Sequence, residues 1–199
     1  MNIIITTIEV IALCWAGYNG WRVFSSQRNS INVGAEIQAE CPHDFAFQTY
    51  LKVREYYLQL SPAHEKYEVS GDNLMKDVVI DVWETAGFQS VKHKYRVTEM
   101  KTNESMKLVS EKSNVKTLGL FKGENRSEVE FRFHPTYDGK TNLGLTIQIV
   151  FPNWLRHFMA RLFFTEAIWN FHALEEMNAL AKIMEQQFYA RDLKTYWNK

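Results

Sequence analysis

Residues 77–100 read DVVIDVWETAGFQSVKHKYRVTEM. In the first eight, Val78, Ile80, Val82 and Glu84 share one side and Asp81 takes the other, the period of two expected of a strand with one buried face. Thr85–Ala86–Gly87 then breaks the run. Beyond it, Val91, His93, Tyr95 and Val97 alternate with Lys92, Lys94 and Arg96. A break this short joins antiparallel neighbours. Residues 66–70, 106–116, 128–133 and 143–151 have the same character. Ser70–Gly71–Asp72–Asn73, Lys101–Thr102–Asn103, Gly123–Glu124–Asn125 and Asp138–Gly139–Lys140 supply polar turns between them. The middle of the chain is therefore an antiparallel meander.

Upstream, residues 33–40 form a first strand, and a helix opens at Cys41–Pro42–His43–Asp44, where proline suits the first turn. Its apolar positions Phe45, Tyr50, Val53, Tyr57 and Leu60 recur at helical spacing until Ser61–Pro62 closes it. Downstream of Pro152 the composition is helical to about residue 190. On a helical wheel Glu175, Asn178, Lys182, Glu185 and Gln186 gather on a solvated arc. Trp169, Ala173, Met177, Leu180, Ala181, Ile183 and Met184 gather opposite, with Glu176 among them and His172 at the edge. The order is strand, short helix, meander, long helix, an α+β pattern in which a curved sheet wraps one helix and leaves a cavity between them. It resembles the helix-grip fold of START and Bet v 1-like proteins over residues 33–190. Residues 25–32 are read as a linker and 191–199 as a tail.

Residues 1–24 are a hydrophobic segment that approaches bilayer-spanning length, about twenty residues, but Glu9, Asn19 and Arg22 interrupt it. If it spans, Arg22 and Arg28 favour a cytoplasmic main domain. Otherwise it packs on the domain or contacts a membrane surface. Lys plus Arg and Asp plus Glu number 23 each, which excludes a field that recruits nucleic acid. Cys14 and Cys41 make no disulfide framework, consistent with a reducing, cytoplasmic setting.

A carboxylate on a core-facing arc is costly unless it is paired or binds a metal. His172 and Glu176, four apart, project together and suit one shared ion. The competing reading is that Glu176 bonds an Arg or Tyr across the cavity. His64 stands where the first helix passes into the sheet, and Glu84 ends an inward row; His93 also faces inward. With these residues in place, the chain resembles the 2,4-diacetylphloroglucinol hydrolase family, helix-grip enzymes that bind zinc through two His and two Glu. The resemblance implies that His64, Glu84, His172 and Glu176 hold Zn2+, with His93 able to replace either sheet position. It implies hydrolysis of a carbon–carbon bond beside a carbonyl in a small apolar, acylated phenolic or polyketide-like substrate. Tyr95 and His93 are then candidate proton donors, and Trp83, Trp169, Ala173 and Leu180 are expected pocket walls. The alternatives are a non-catalytic, membrane-tethered carrier or sensor of an apolar ligand, and a small interaction domain with a filled core.

Overall fold

The computed structural model describes residues 2–26 and 28–197, with side chains over 4–26 and 28–191. In chain order the elements are α1 (Asn2–Ser25), β1 (Ser30–Ala39), α2 (His43–Tyr50), α3 (Tyr57–Leu60), β2 (His64–Val69), β3 (Val79–Ala86), β4 (Gln89–Lys101), β5 (Ser105–Thr117), β6 (Phe121–Pro135), β7 (Thr141–Val150), α4 (Trp154–Leu162) and α5 (Thr165–Trp197). The seven strands form one antiparallel sheet in the order β1-β7-β6-β5-β4-β3-β2. Its meander is the expected one. β1 closes it from far away in sequence, pairing with β7 from Ser30↔Val150 to Ala39↔Thr141.

α5 lies across the buried face of the sheet. Ala173, Met177, Leu180, Ala181 and Met184 join Ile80, Val82, Val97, Met106 and Leu145 in the main core. Phe47 of α2 meets Phe133 edge-on at 5.4 Å. Gly34 lets β1 approach β7: an added Cβ would stand 2.2 Å from the Leu145 carbonyl oxygen. The Gly34 N–H instead donates to Asn170 Oδ1 of α5 at 3.0 Å.

Several boundaries depart from the local signals. β1 begins inside the stretch read as a linker, because pairing with β7 extends it. Gly123–Glu124–Asn125 is no turn; it runs within β6, paired to residues 113–115. The chain reverses at residues 118–120, where Leu118 and Gly119 take positive φ (54° and 70°). Gly123 makes room for Arg156, whose guanidinium would lie 2.9 Å from a Cβ there. The helix read over residues 42–60 is broken into α2, a 3-10 turn at Val53–Glu55 and α3. The C-terminal helix is likewise split at Phe164 (φ 53°). α5 continues to Trp197 through the stretch read as a tail.

Among the described residues no helix is long and apolar enough to cross a membrane, so the spanning alternative for residues 1–24 gains no support. α1 packs against the body through its second half. Asn19 and Val23 are buried, Arg22 pairs with Glu166 at 2.9 Å, and Trp15 stacks on Phe164 at 5.0 Å.

Candidate functional site

Ser61 and Pro62 end α3, and after Ala63 His64 opens β2 opposite Glu84 in the β2–β3 register. The period of two that buries Ile80 and Val82 buries Glu84 with them. His172 enters from α5. One turn earlier, Trp169 Nε1 donates to Gln89 Oε1 (2.9 Å), and Gln89 Nε2 donates to Thr165 Oγ1 (2.8 Å), fixing the start of α5 on β4.

His64 Nε2 lies 3.8 Å from Glu84 Oε1, and His172 Nε2 lies 3.9 Å from Glu84 Oε2. One donor atom from each of the three residues falls within 4.8 Å of the others. These separations are too long for hydrogen bonds, and both Nε2 atoms are buried without a hydrogen-bond partner. Such orphans cost about 1–3 kcal/mol each. The opposite ring nitrogens are engaged. His64 Nδ1–H donates to the Tyr57 carbonyl at 2.8 Å, so Nε2 carries a lone pair. His172 Nδ1 lies 3.5 Å from Ser61 Oγ. Ser61 accepts from the Ala63 N–H (3.1 Å) and donates to Glu175 (2.6 Å). The Tyr57 hydroxyl donates to Glu84 Oε1. Two neutral imidazoles and one carboxylate, each oriented from behind, fit a borderline divalent ion such as zinc.

Burial governs the protonation of the group. It lowers His64, and it lowers His172 to about 4 with help from neighbouring His64. It raises Glu84 to about 7 against the Tyr57 hydrogen bond, and raises Glu176 to about 8 with the Glu84 charge adding to the effect. At neutral pH the imidazoles are free bases and Glu176 holds its proton.

The three converging residues are His64, Glu84 and His172; Glu176 is outside the group. It lines the same cavity one turn further along α5 and makes no hydrogen bond among the described residues, so the Arg or Tyr pairing considered for it does not form. His93 is outside too. Its Nδ1 bonds Ser113 Oγ at 2.8 Å, its ring stacks on Tyr95 at 4.6 Å, and burial lowers it to about 3. That removes it as a proton donor near neutrality. Burial, Glu84 and Glu176 hold the Tyr95 hydroxyl well above its ordinary value. Trp83 corrects an expectation: the alternation that turns Glu84 inward turns Trp83 out, where Lys66 and Lys92 sit over its ring at 4.8 and 3.5 Å. Ala173 and Leu180 pack in the core; Trp169 does line a cavity.

The space beside the three residues is about 50 Å3, bordered by Tyr50, Tyr57, Tyr67 and Tyr95 as well as Glu84, His172 and Glu176. A second space of about 50 Å3 shares Glu84, Tyr95 and Ile147 with it and adds His93 and Trp169. A third, about 180 Å3, shares Val115, Thr117, Asn125 and Phe151 with the second and lies under α4. Drug-sized ligands occupy roughly 300–1,000 Å3, more than these inner spaces hold, whereas an open space of about 630 Å3 on the other side of His172 is lined by His172, Glu175 and Phe171. Tyr57, Ser61 and Glu175 were not expected in the site. Tyr57 reads as a helical core position, Ser61 as a helix stop and Glu175 as solvent-facing. Their shared role exists only once α3 and α5 meet.

No family model and no curated protein matches the sequence. Solved structures do match. The Zhui aromatase/cyclase of Streptomyces sp. R1128 superposes with a TM-score of 0.56 at 14% identity, covering 79% of this chain and 95% of its own. A norcoclaurine synthase point mutant of Thalictrum flavum, in complex with a transition-state analogue, gives 0.54 at 16%, covering 79% and 96%. Ara h 8.0201 gives 0.50 at 10%, covering 78% and 97%. At these identities the likeness is one of fold, and with the curved antiparallel sheet and its long C-terminal helix it establishes that the chain has the Bet v 1-like helix-grip fold.

Proposed function

We propose that the chain is a metal-dependent hydrolase acting on a small apolar carbonyl compound of the acylated phenolic or polyketide-like class. The observation that carries this reading is the pair of buried, unpartnered Nε2 atoms of His64 and His172 directed at the Glu84 carboxylate. These three residues would hold the ion, and three protein ligands leave room for water or substrate, as catalytic sites require. A zinc ion there supplies Lewis acidity toward a carbonyl and lowers the pKa of water. The Tyr57 backbone carbonyl and Ser61 fix the imidazoles, and the Tyr57 hydroxyl steadies Glu84. Glu176, protonated near neutrality and facing the same cavity, is placed to donate a proton to a departing carbon or oxygen. Tyr95 stays a neutral hydroxyl and orients substrate. Enzymes with this fold that act on small organic molecules, among them the aromatase/cyclase and the norcoclaurine synthase, support chemistry in such a cavity. Carbon–carbon bond cleavage rests on the resemblance to the diacetylphloroglucinol hydrolases.

The test is metal content by mass spectrometry on the purified full chain and on His64→Ala/His172→Ala. About one zinc per chain, lost in the double variant, is the expected result, followed by assays on acylated phenols. A folded parent that neither carries zinc nor takes it up on titration overturns the reading. The cavity then belongs to a carrier of apolar ligands, a role that leaves the two Nε2 atoms unexplained.

A further inference from the structure

The first half of α1 is uncovered. Ile4, Ile5, Ile8, Val10, Ile11 and Leu13 are between 48% and 72% exposed. They spread round the helix axis, so apolarity is not confined to one face. A groove on a protein partner, or a second copy, covers one stripe of a helix. A helix apolar on every side is satisfied by a surrounding apolar medium. α1 is not long and apolar enough to cross a bilayer, but its exposed first half, about ten residues at roughly 1.5 Å each, matches the depth of one leaflet of a hydrocarbon core about 30 Å thick. Glu9, the single charge among residues 4–13, then stays within reach of the headgroups.

Contacts along α4 set this half of α1 next to a second apolar patch. Trp15, just past the exposed residues, stacks on Phe164 (5.0 Å), the adjacent Phe163 meets Phe121 beside the β5–β6 turn (5.5 Å), and at the far end of α1 Phe24 stacks on Trp154 at the start of α4 (6.2 Å). Leu118, Leu120, Phe121, Trp154 and Leu155 are all at least half exposed. Phe121, Leu155 and Phe163 also line the mouth of the roughly 180 Å3 space under α4, which shares Val115, Thr117, Asn125 and Phe151 with the second inner cavity. Beside this apolar rim Lys112, Lys122 and Arg156 line the adjoining open space with Glu111, Glu124 and Arg126, and Arg126 pairs with Glu111, which leaves an excess of positive charge there. Such a cationic fringe complements anionic lipid headgroups.

We propose that the chain docks on a phospholipid bilayer through the first half of α1, the outer face of α4 and the β5–β6 turn. The cavity mouth then faces lipid, and an apolar substrate dissolved in the leaflet enters without crossing water. Docking stands apart from the hydrolase reading; only the passage of substrate rests on it.

The test is co-sedimentation of the full chain with vesicles of phosphatidylcholine, with and without phosphatidylglycerol. The parent is expected to bind both, more tightly the anionic one. Ile8→Asp/Ile11→Asp and Phe121→Asp/Trp154→Asp are each expected to weaken binding about tenfold or more, since each puts charge into the lipid-facing surface. All four positions are exposed, and circular dichroism verifies that the variants fold. Brominated lipids are expected to quench the parent's tryptophan fluorescence more than that of Trp154→Phe. A parent that stays in the supernatant with both vesicle types overturns the proposal. So does wild-type binding by Phe121→Asp/Trp154→Asp, which takes the mouth off the membrane. A stable dimer that Ile8→Asp/Ile11→Asp dissociates overturns it by assigning the face to a second copy. His64→Ala/His172→Ala is expected to bind vesicles like the parent, so loss of the metal reading leaves this readout intact.

Discussion

Ser61 connects three parts of the site with one oxygen: it sits beside His172 Nδ1, caps the Ala63 N–H and holds Glu175. Groups that orient a ligand imidazole from behind typically change metal affinity 10–100-fold when removed. Ser61→Ala is accordingly expected to weaken zinc binding by about that range with little loss of stability, as read by competition with a chromogenic chelator. Unchanged affinity would detach Ser61 from the site. At this scale the inward row of β3 and the helical wheel identified Glu84, His172 and Glu176, because an ionisable residue on an apolar face stands out from its neighbours. Position along such a row carries no distance, so the exclusion of Glu176 from the converging group was not legible. Nor was the partnership of Ser61 with Glu175, which lie 114 residues apart.

Gly34 decides how two elements meet. A methyl group there collides with the Leu145 carbonyl oxygen and pushes β1 from β7, weakening the Asn170 bond that seats α5. Overpacking of this kind costs about 1–3 kcal/mol, and the backbone nature of the obstacle puts Gly34→Ala at the upper end. For a chain of this length, about 3 kcal/mol lowers the melting midpoint by roughly 6–12 °C; a thermal scan showing no change would mean that the strands separate freely. Element order was readable because period-two and helical patterns are local. Element ends were not. Pairing stretched β6 across Gly123, and packing broke the helix over residues 42–60 while keeping its apolar spacing.

For the whole molecule the buried ionisable groups set a pH optimum of stability without metal. Glu84 (about 7) and Glu176 (about 8) have folded values above the unfolded one, so the folded state holds extra protons and stability falls as pH rises through that range. His64, His93, His157 and His172 are lowered by burial, so stability falls as pH drops below the unfolded histidine value near 6.5. The two limbs place the maximum between about pH 6 and 7. Denaturant unfolding in a chelator is expected to show a loss on the order of 1 kcal/mol between pH 7 and 8.5, and Glu176→Gln flattens that limb. A parent whose stability is level over this range would show that Glu176 ionises without penalty.

By itself, the sequence determined an antiparallel meander flanked by a short and a long helix, an apolar interior, and inward His and Glu on both sheet and helix. These follow from side-chain period and from the cost of burying charge, which act within a few residues. Only the tertiary structure decided that His64, Glu84 and His172 converge while Glu176 and His93 stand beside them, and that Trp83 faces out. It alone laid α1 along α4, from Trp15 on Phe164 to Phe24 on Trp154. Those outcomes depend on where α5 crosses the sheet and where the chain reverses, which are fixed by contacts between segments far apart in sequence.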